Sequence, residues 1–339
     1  VKPPRAPPFN FTFFFFFCSL CHPSMSYVRM STIRTFFFFT FGIIFFLENV
    51  IASNPTLTKA LLQHFLMPVK VFGNCFSKVF TRKMHVTYLP MSWRSGDNYC
   101  YLLTDEPSNK SWLIDPAYPS DIMDFLTKKN KTEVTGIVNT HHHYDHAGGN
   151  GKLLSSIYKG VPVIGGKDCP YVSYIPSDEE VIQLGKNIEI TAYHTPCHTQ
   201  DSICYYAKDK KTGEKCVFSG DTLFTCGCGR FFEGTADQMI KALQKIANLP
   251  PDTITYPGHE YTASDAKFAK TVYGDSNKAL NKLEEFANSH EFTTGCFTVK
   301  DEMAFNPFFR LSDEDVVRAT GKKDSVSVIA ELRAMKDSF

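Results

Sequence analysis

Four of the chain's eleven histidines fall within six residues. They lie in THHHYDHAGGN at 140–150, which holds His141, His142, His143, Asp145 and His146. Imidazole and carboxylate groups this dense cost solvation if buried alone, and a divalent metal is a partner that suits them. The spacing H-x-H-x-D-H lets His141 and His143 face one point while Asp145 and His146 face another nearby. That is an arrangement for two metals. Three more residues extend it: His198 in TPCHT, Asp221 in FSGDT and His259 in YPGHE. Each sits in a Gly- or Pro-containing turn after an apolar run, where functional side chains gather on rigid scaffolds. Gly148 and Gly149 are expected to let the backbone turn sharply behind the histidines.

The elements that must position these residues are short strands. Apolar runs bounded by turn residues predict strands over 99–104, 111–114, 136–139, 161–164, 188–193, 203–206, 216–218 and 253–256. Ser120, followed by Ile122, Met123, Phe125 and Leu126, predicts a capped helix. Thr235, followed by Met239, Ile240, Leu243, Ile246 and Ala247, predicts an amphipathic one. Helical spacing returns over 277–290, 312–320 and 326–336. Strands dominate 84–258 and helices dominate 262–339. The simplest architecture is two stacked sheets with outer helices, then a helical C-terminal domain.

The 339 residues divide by charge. Residues 1–83 carry nine Lys/Arg against the single acid Glu48, whereas 84–339 carry 27 basic and 34 acidic residues. An acidic body lacks the positive face that nucleic acid requires. Residues 1–83 are not expected to fold as a domain. Over 1–24 they read as a translated leader, with Phe13 to Phe17 as one of its runs. Over 25–83 they read as a basic, acid-poor mitochondrial presequence, with Met84 as an alternative start. The apolar stretch 36–47 also has the outline of a signal peptide's core or a short anchor, but is shorter than the ~20 residues that span a bilayer. The eleven cysteines are irregularly spaced and read as reduced thiols. Cys18-x-x-Cys21 lacks the second pair a zinc site needs.

The motif order resembles the metallo-β-lactamase superfamily. Within it, the chain is similar to the glyoxalase II, or hydroxyacylglutathione hydrolase, family, with fungal phrasing, from about residue 84 to 339. The resemblance rests on THHHYDHAGGN, NYCYLL at 98–103, SWLIDP at 111–116, HTQDSICYY at 198–206 and GDTLF at 220–224. GCGRFFEGTA at 227–236, PGHEYT at 257–262, NPF at 306–308 and LRAMKD at 332–337 complete it. HxHxDH marks only the superfamily; the CGRFFEGTA stretch and the RxxKD tail are far more specific.

The resemblance implies an α/β fold: an αββα metallo-β-lactamase sandwich over 84–260 and an all-α glutathione-binding domain over 261–339. It implies two divalent metals, Zn2+ first with Fe or Mn as alternatives. His141, His143 and His198 would hold one, Asp145, His146 and His259 the other, and Asp221 would bridge them. A water shared by two dications ionises near neutral pH and would attack a thioester carbonyl, with Asp145 orienting it. The substrate implied is S-D-lactoylglutathione, with other 2-hydroxyacyl thioesters tolerated. Arg230, Phe232, His259, Tyr261, Arg333 and Lys336 are the residues it sets against the substrate. Two departures are visible: Tyr144 stands where Trp is frequent, and Phe232 where many members have Tyr. The second removes one hydrogen bond to the peptide, worth about 0.5–1.5 kcal/mol. His142 and Asp115 are expected behind the ligands. Cys226 and Cys228 are expected to serve the GCG turn, not a metal.

The expected compartment is the mitochondrial matrix, the cytoplasm or both, and the expected state a monomer without an obligate protein partner. The rivals are a one-iron persulfide dioxygenase, a non-catalytic metal-binding member and a membrane-anchored hydrolase. The dioxygenase lacks the long helical tail with RxxK. The non-catalytic member would have lost a ligand.

Overall fold

The first sheet is built from β1 (Met84–Met91), β2 (Asn98–Asp105), β3 (Lys110–Ile114), β4 (Glu133–Val138) and β5 (Val163–Ile164), in that spatial order. β1, β2 and β3 run antiparallel, and β3, β4 and β5 parallel. Every residue of β2 is buried because both faces of the strand are covered. Tyr99, Tyr101 and Leu103 face a second sheet, while Cys100 and Leu102 face helices. The computed structural model describes residues 84–91 and 97–339, which belong to one unit. The leader, presequence and anchor readings of 1–83 lie outside the described residues.

The second sheet takes β6 (Glu180–Leu184), β7 (Ile188–His194), β8 (Ile203–Asp209), β9 (Lys215–Gly220) and β12 (Ile254–Pro257), in the order β12-β9-β8-β7-β6. A two-strand ribbon, β10 (Leu223–Phe224) with β11 (Gly227–Cys228), follows β9. Between the sheets, Tyr101, Trp112 and Val138 pack on Ile190, Tyr205 and Phe218. The outer layer of the first sheet is α1 (Pro119–Asp124), extended by a wider turn over Phe125–Lys129, with α3 (Asn150–Ser156); the short α2 (Tyr144–Ala147) lies in the loop after β4. The outer layer of the second is α4 (Ala236–Ala247), whose Met239, Leu243 and Ile246 meet Cys204 and Val217. The expected αββα sandwich is therefore present.

The C-terminal helices are α5 (Thr262–Tyr273), α6 (Lys278–Ser289), α7 (Val299–Phe305), α8 (Glu314–Thr320) and α9 (Ser325–Asp337). Their apolar faces join α4 in one core through Phe268, Leu280, Val316 and Ile329. Capping residues set the starts: Asn277, Thr298, Asp313 and Asp324 each accept a backbone N–H of the helix that follows.

Several expectations change in detail. Ser120 does not cap α1. The helix begins at Pro119, where a missing N–H costs nothing, and the Ser120 hydroxyl donates to Asp121 Oδ1. Gly148 and Gly149 do not turn the chain through unusual dihedrals; their φ values are −61° and −85°. Gly149 is needed for space, since a Cβ there would meet the Pro116 carbonyl oxygen at 1.9 Å. The strand expected over 161–164 is paired only at Val163–Ile164. β1, β6, the β10–β11 ribbon, α2, α3, α5 and α7 had no expected element of their own.

Candidate active site

The parallel pairings determine where the site forms. β7, β9 and β12 point one way, as do β3 and β4, so the loops after their C-terminal ends meet at one edge of the sandwich. His198 follows β7, Asp221 follows β9 and His259 follows β12. His141 and His143 follow β4, and Asp145 and His146 ride on α2.

All seven expected ligands converge there. His143 Nδ1 lies 3.0 Å from His141 Nε2 and 3.1 Å from His198 Nε2. Nitrogens bound tetrahedrally to one zinc lie about 3.3 Å apart, given ~2.0–2.1 Å bonds. His146 Nε2 is 3.2 Å from His259 Nε2, and Asp145 Oδ2 is 3.6 Å from the latter. Asp221 lies between the triads: its Oδ1 is 3.2 Å from His146 Nε2, and its Oδ2 is 3.4 Å from His198 Nε2 and 3.5 Å from His259 Nε2.

These donors fit metal ions. Asp221 Oδ1 is buried and makes no hydrogen bond. A Cβ on Gly258 would come within 2.4 Å of that oxygen, so the glycine keeps the space around it open. The groups His141/His143/His198, His141/His146/Asp221 and Asp145/His146/His259 each bring three ligand atoms close enough for one ion.

The rings are held from behind. Asp115 Oδ2 accepts from His146 Nδ1 (2.9 Å) and from the Thr140 hydroxyl, while its Oδ1 accepts the Thr140 N–H. Asp97 Oδ1 is 3.1 Å from His259 Nδ1. The Arg230 carbonyl accepts from His198 Nδ1 at 3.0 Å, which leaves Nε2 with its lone pair toward the cluster. His142 turns outward to Asp201 (2.8 Å), and Tyr144 is exposed. Asp97, Asp201 and the Arg230 carbonyl went unrecognised in the sequence. The polar pair Asp97-Asn98 ahead of β2 was the available signal for the first; Asn98 Nδ2 donates to the Asp145 carbonyl.

Charge differs across the cluster. Burial, then neighbouring imidazoles, lowers the pKa of His141 and His143, and burial lowers His198. Burial would lower His146 too, but the Asp221 and Asp115 carboxylates push it well above the ordinary range. Burial would raise Asp221; His259 and His146 hold it well below.

A cavity of about 460 Å³ opens beside the cluster, lined by His143, Asp145, Phe232, Tyr261, Arg333 and Lys336 among others. Phe232 sets its ring 5.2 Å from His198 and 5.9 Å from His143. Tyr261 stacks on His259 at 4.8 Å, and burial raises its phenol pKa. The cations are engaged with the protein itself. Arg230 pairs with Asp337 (3.0 Å), and Lys336 pairs with Asp265 (2.9 Å). Arg333 donates to the Cys228 carbonyl (2.7 Å) and to Asp337. The Cys226 and Cys228 thiols are buried; burial pushes Cys228 up to about 12, the wrong direction for a thiolate ligand. The eight described cysteines are unpaired.

Residues 93–259 match the metallo-beta-lactamase superfamily, and residues 260–339 match the hydroxyacylglutathione hydrolase C-terminus. The cytoplasmic hydroxyacylglutathione hydrolase isozyme of Saccharomyces cerevisiae is 49% identical over 75% of this chain and 99% of its own length. A probable hydroxyacylglutathione hydrolase of Schizosaccharomyces pombe is 47% identical over 75% and 98%. The mitochondrial enzyme of S. cerevisiae is 45% identical over 76% and 97%. Among solved structures, a metallo-beta-lactamase from Staphylococcus aureus covers 75% of this chain and 70% of its own at 20% identity, with a TM-score of 0.50. That likeness concerns the fold alone.

Proposed function

This chain belongs to the hydroxyacylglutathione hydrolase family, and we propose that it hydrolyses S-D-lactoylglutathione to glutathione and D-lactate at the seven-ligand cluster. Membership makes it an enzyme that hydrolyses S-hydroxyacylglutathione thioesters. The acyl group, the ions and the residue roles are our reading. One observation carries it: two triads of ligand atoms meet on the single carboxylate of Asp221.

His141, His143 and His198 would hold one divalent ion, and Asp145, His146 and His259 the other, with Asp221 shared. Zn2+ suits so imidazole-rich a set best; Fe and Mn are alternatives. When bound, the ions supply Lewis acidity, which lowers the pKa of a shared water and polarises the thioester carbonyl. Burial keeps His141, His143 and His198 neutral, so their lone pairs face the cluster at neutral pH. Asp145, half-buried at the cavity wall, accepts a hydrogen bond from the attacking water and orients it. The leaving thiolate has an intrinsic pKa near ~8.5, so it departs without a strong general acid.

Arg230, Arg333 and Lys336 place positive charge where the anionic tripeptide would lie, with His259 and Tyr261 beside it. Phe232 offers an apolar face. On this reading residues 84–260 form the metal-binding domain and 261–339 the substrate-binding domain. The enzyme acts as a monomer in the mitochondrial matrix, the cytoplasm or both; the basic run at 25–83 supports the first.

The test follows thioester loss from S-D-lactoylglutathione and counts metal on the same sample. Hydrolysis with two ions per chain is expected, falling about 10³-fold in kcat/KM for Asp221→Ala, the scale of removing a preorganised electrostatic partner. No hydrolysis at full metal occupancy would overturn the proposal and favour the dioxygenase or non-catalytic alternative.

A further inference from the structure

Glu302 on α7 is fully buried and takes no part in the chemistry above. Its Oε2 accepts from the Cys226 N–H and from Asn306 Nδ2, both at 2.9 Å. Asn306 Nδ2 also donates to the Gly227 carbonyl at 3.1 Å. Arg333, from α9, donates to the Cys228 carbonyl. Three consecutive residues of the turn 226–228 are thus gripped by the helical domain. The turn needs that grip, because Cys226 has φ of 67°, a costly conformation for a residue with a Cβ.

The turn leads straight to the metal ligands. Gly229 lies so close to Asp221 that a Cβ would meet its carbonyl oxygen at 2.0 Å. Arg230 comes next, and its carbonyl is the acceptor that orients His198 through Nδ1. A displaced turn would move that acceptor, and the ring would lose its aim at His143 Nδ1 and Asp221.

We propose that Glu302, with Asn306, is a positioning residue for His198, acting through the 226–230 turn. The helical domain then does more than face the substrate: it sets one ligand of the catalytic cluster. The inference rests on the function proposed above only in taking His198 as a ligand. What the site requires from Glu302 is an acceptor, not a charge. Burial raises its carboxyl to about 8, so near neutral pH the group is largely protonated, and its Oε1 has no hydrogen-bond partner. Gln is therefore the conservative replacement and Met the apolar one of similar length.

Three variants of the full chain decide the matter: Glu302→Met, Glu302→Gln and, as a stability control in the same core that makes none of these hydrogen bonds, Val316→Ala in α8. The readouts are zinc retained against a competing chelator, thermal midpoint, and kcat and KM on S-D-lactoylglutathione. Glu302→Met is expected to weaken zinc retention about tenfold, the scale of disturbing a ligand's supporting bond, and to lower kcat. Glu302→Gln should restore both. Val316→Ala should lower the midpoint and leave zinc retention unchanged. If Glu302→Met destabilises the fold yet keeps zinc as the wild type does, Glu302 is structural only and the proposal fails. It also fails if Glu302→Gln is as defective as Glu302→Met. Should Glu302→Met not fold, Asn306→Ser, which loses the bond to Gly227, carries the same expectation. A wild type that binds zinc but leaves the thioester intact would sink the proposed function, while zinc retention would still judge Glu302.

Discussion

The two halves of the cavity treat charge in opposite ways. On the sandwich side, the seven candidate ligands bring their donor atoms to shared points, and second groups hold several of them from behind. On the side that faces the helical domain, the three cations, with Arg230 from the loop after β11 and Arg333 and Lys336 from α9, already have partners: Asp337 for Arg230 and Arg333, and Asp265 for Lys336. The first half is set up to receive cations. The second must exchange internal carboxylates for the substrate's. Chemistry demands rigidity at the metals, where a small misplacement costs rate. Recognition of a flexible anionic peptide tolerates, and gains selectivity from, an exchange of partners.

The largest expected contrast is in stability against pH. Asp221 is held ionised by its neighbours, whereas Glu302 is held neutral by burial, with Asp265 and Asp301 adding to the effect. Its folded pKa, about 8, lies above the ordinary 4.5. The folded state therefore keeps a proton that the unfolded state has lost across that window. The contribution is fully present below 4.5 and is lost as pH rises toward 8. At about 1.4 kcal/mol per pH unit, this amounts to several kcal/mol. Denaturant unfolding at pH 5.5 and pH 8 should show wild type losing stability relative to Glu302→Gln. Parallel curves would mean that the carboxyl titrates normally.

Next in size is a cut on the metal side. Asp115→Asn weakens the acceptor behind His146 and should reduce metal affinity about 10–100-fold, read by competition with a chelating dye. KM for the thioester at saturating metal should stay close to wild type. A change confined to KM would contradict the division between the halves.

The same division governs what could be read in the sequence. The candidate metal ligands are legible because the chemistry prescribes residue type and the strand-ends prescribe place: His141, His143, His198 and Asp221 stand out in a linear chain, and the structure brings them together. The sandwich followed by helices was legible from apolar runs and from the spacing in α4 and α6. What escaped are relations that only packing creates. β1 and the half-exposed β6 carry too weak a pattern to read as strands. Nothing in RxxKD says that Asp337 faces back onto Arg230 and Arg333, or that a buried Glu302 reaches the Cys226 N–H.

The two smallest effects probe the helical side directly. Arg230→Met removes an exposed cation and should raise KM about tenfold with kcat little changed, the mark of uniform binding. A fall in kcat instead would implicate its carbonyl's hold on His198. Asp337→Asn is subtler, and the partner-exchange account stands or falls on its sign. Asp337 Oδ1 lies 3.0 Å from Arg230 Nε, 3.2 Å from Arg333 Nε and 3.0 Å from Arg333 Nη2. If the substrate's carboxylate must displace it, neutralising Asp337 frees both guanidiniums and KM should fall. Both Asp337 and Arg230 are well exposed, so screening keeps the gain below about 1 kcal/mol, or roughly 2–5-fold. Added salt should shrink the difference between variant and wild type. A rise in KM would reverse the argument: Asp337 would then be the brace that holds the guanidiniums in place, and the helical half would be as preorganised as the metal half.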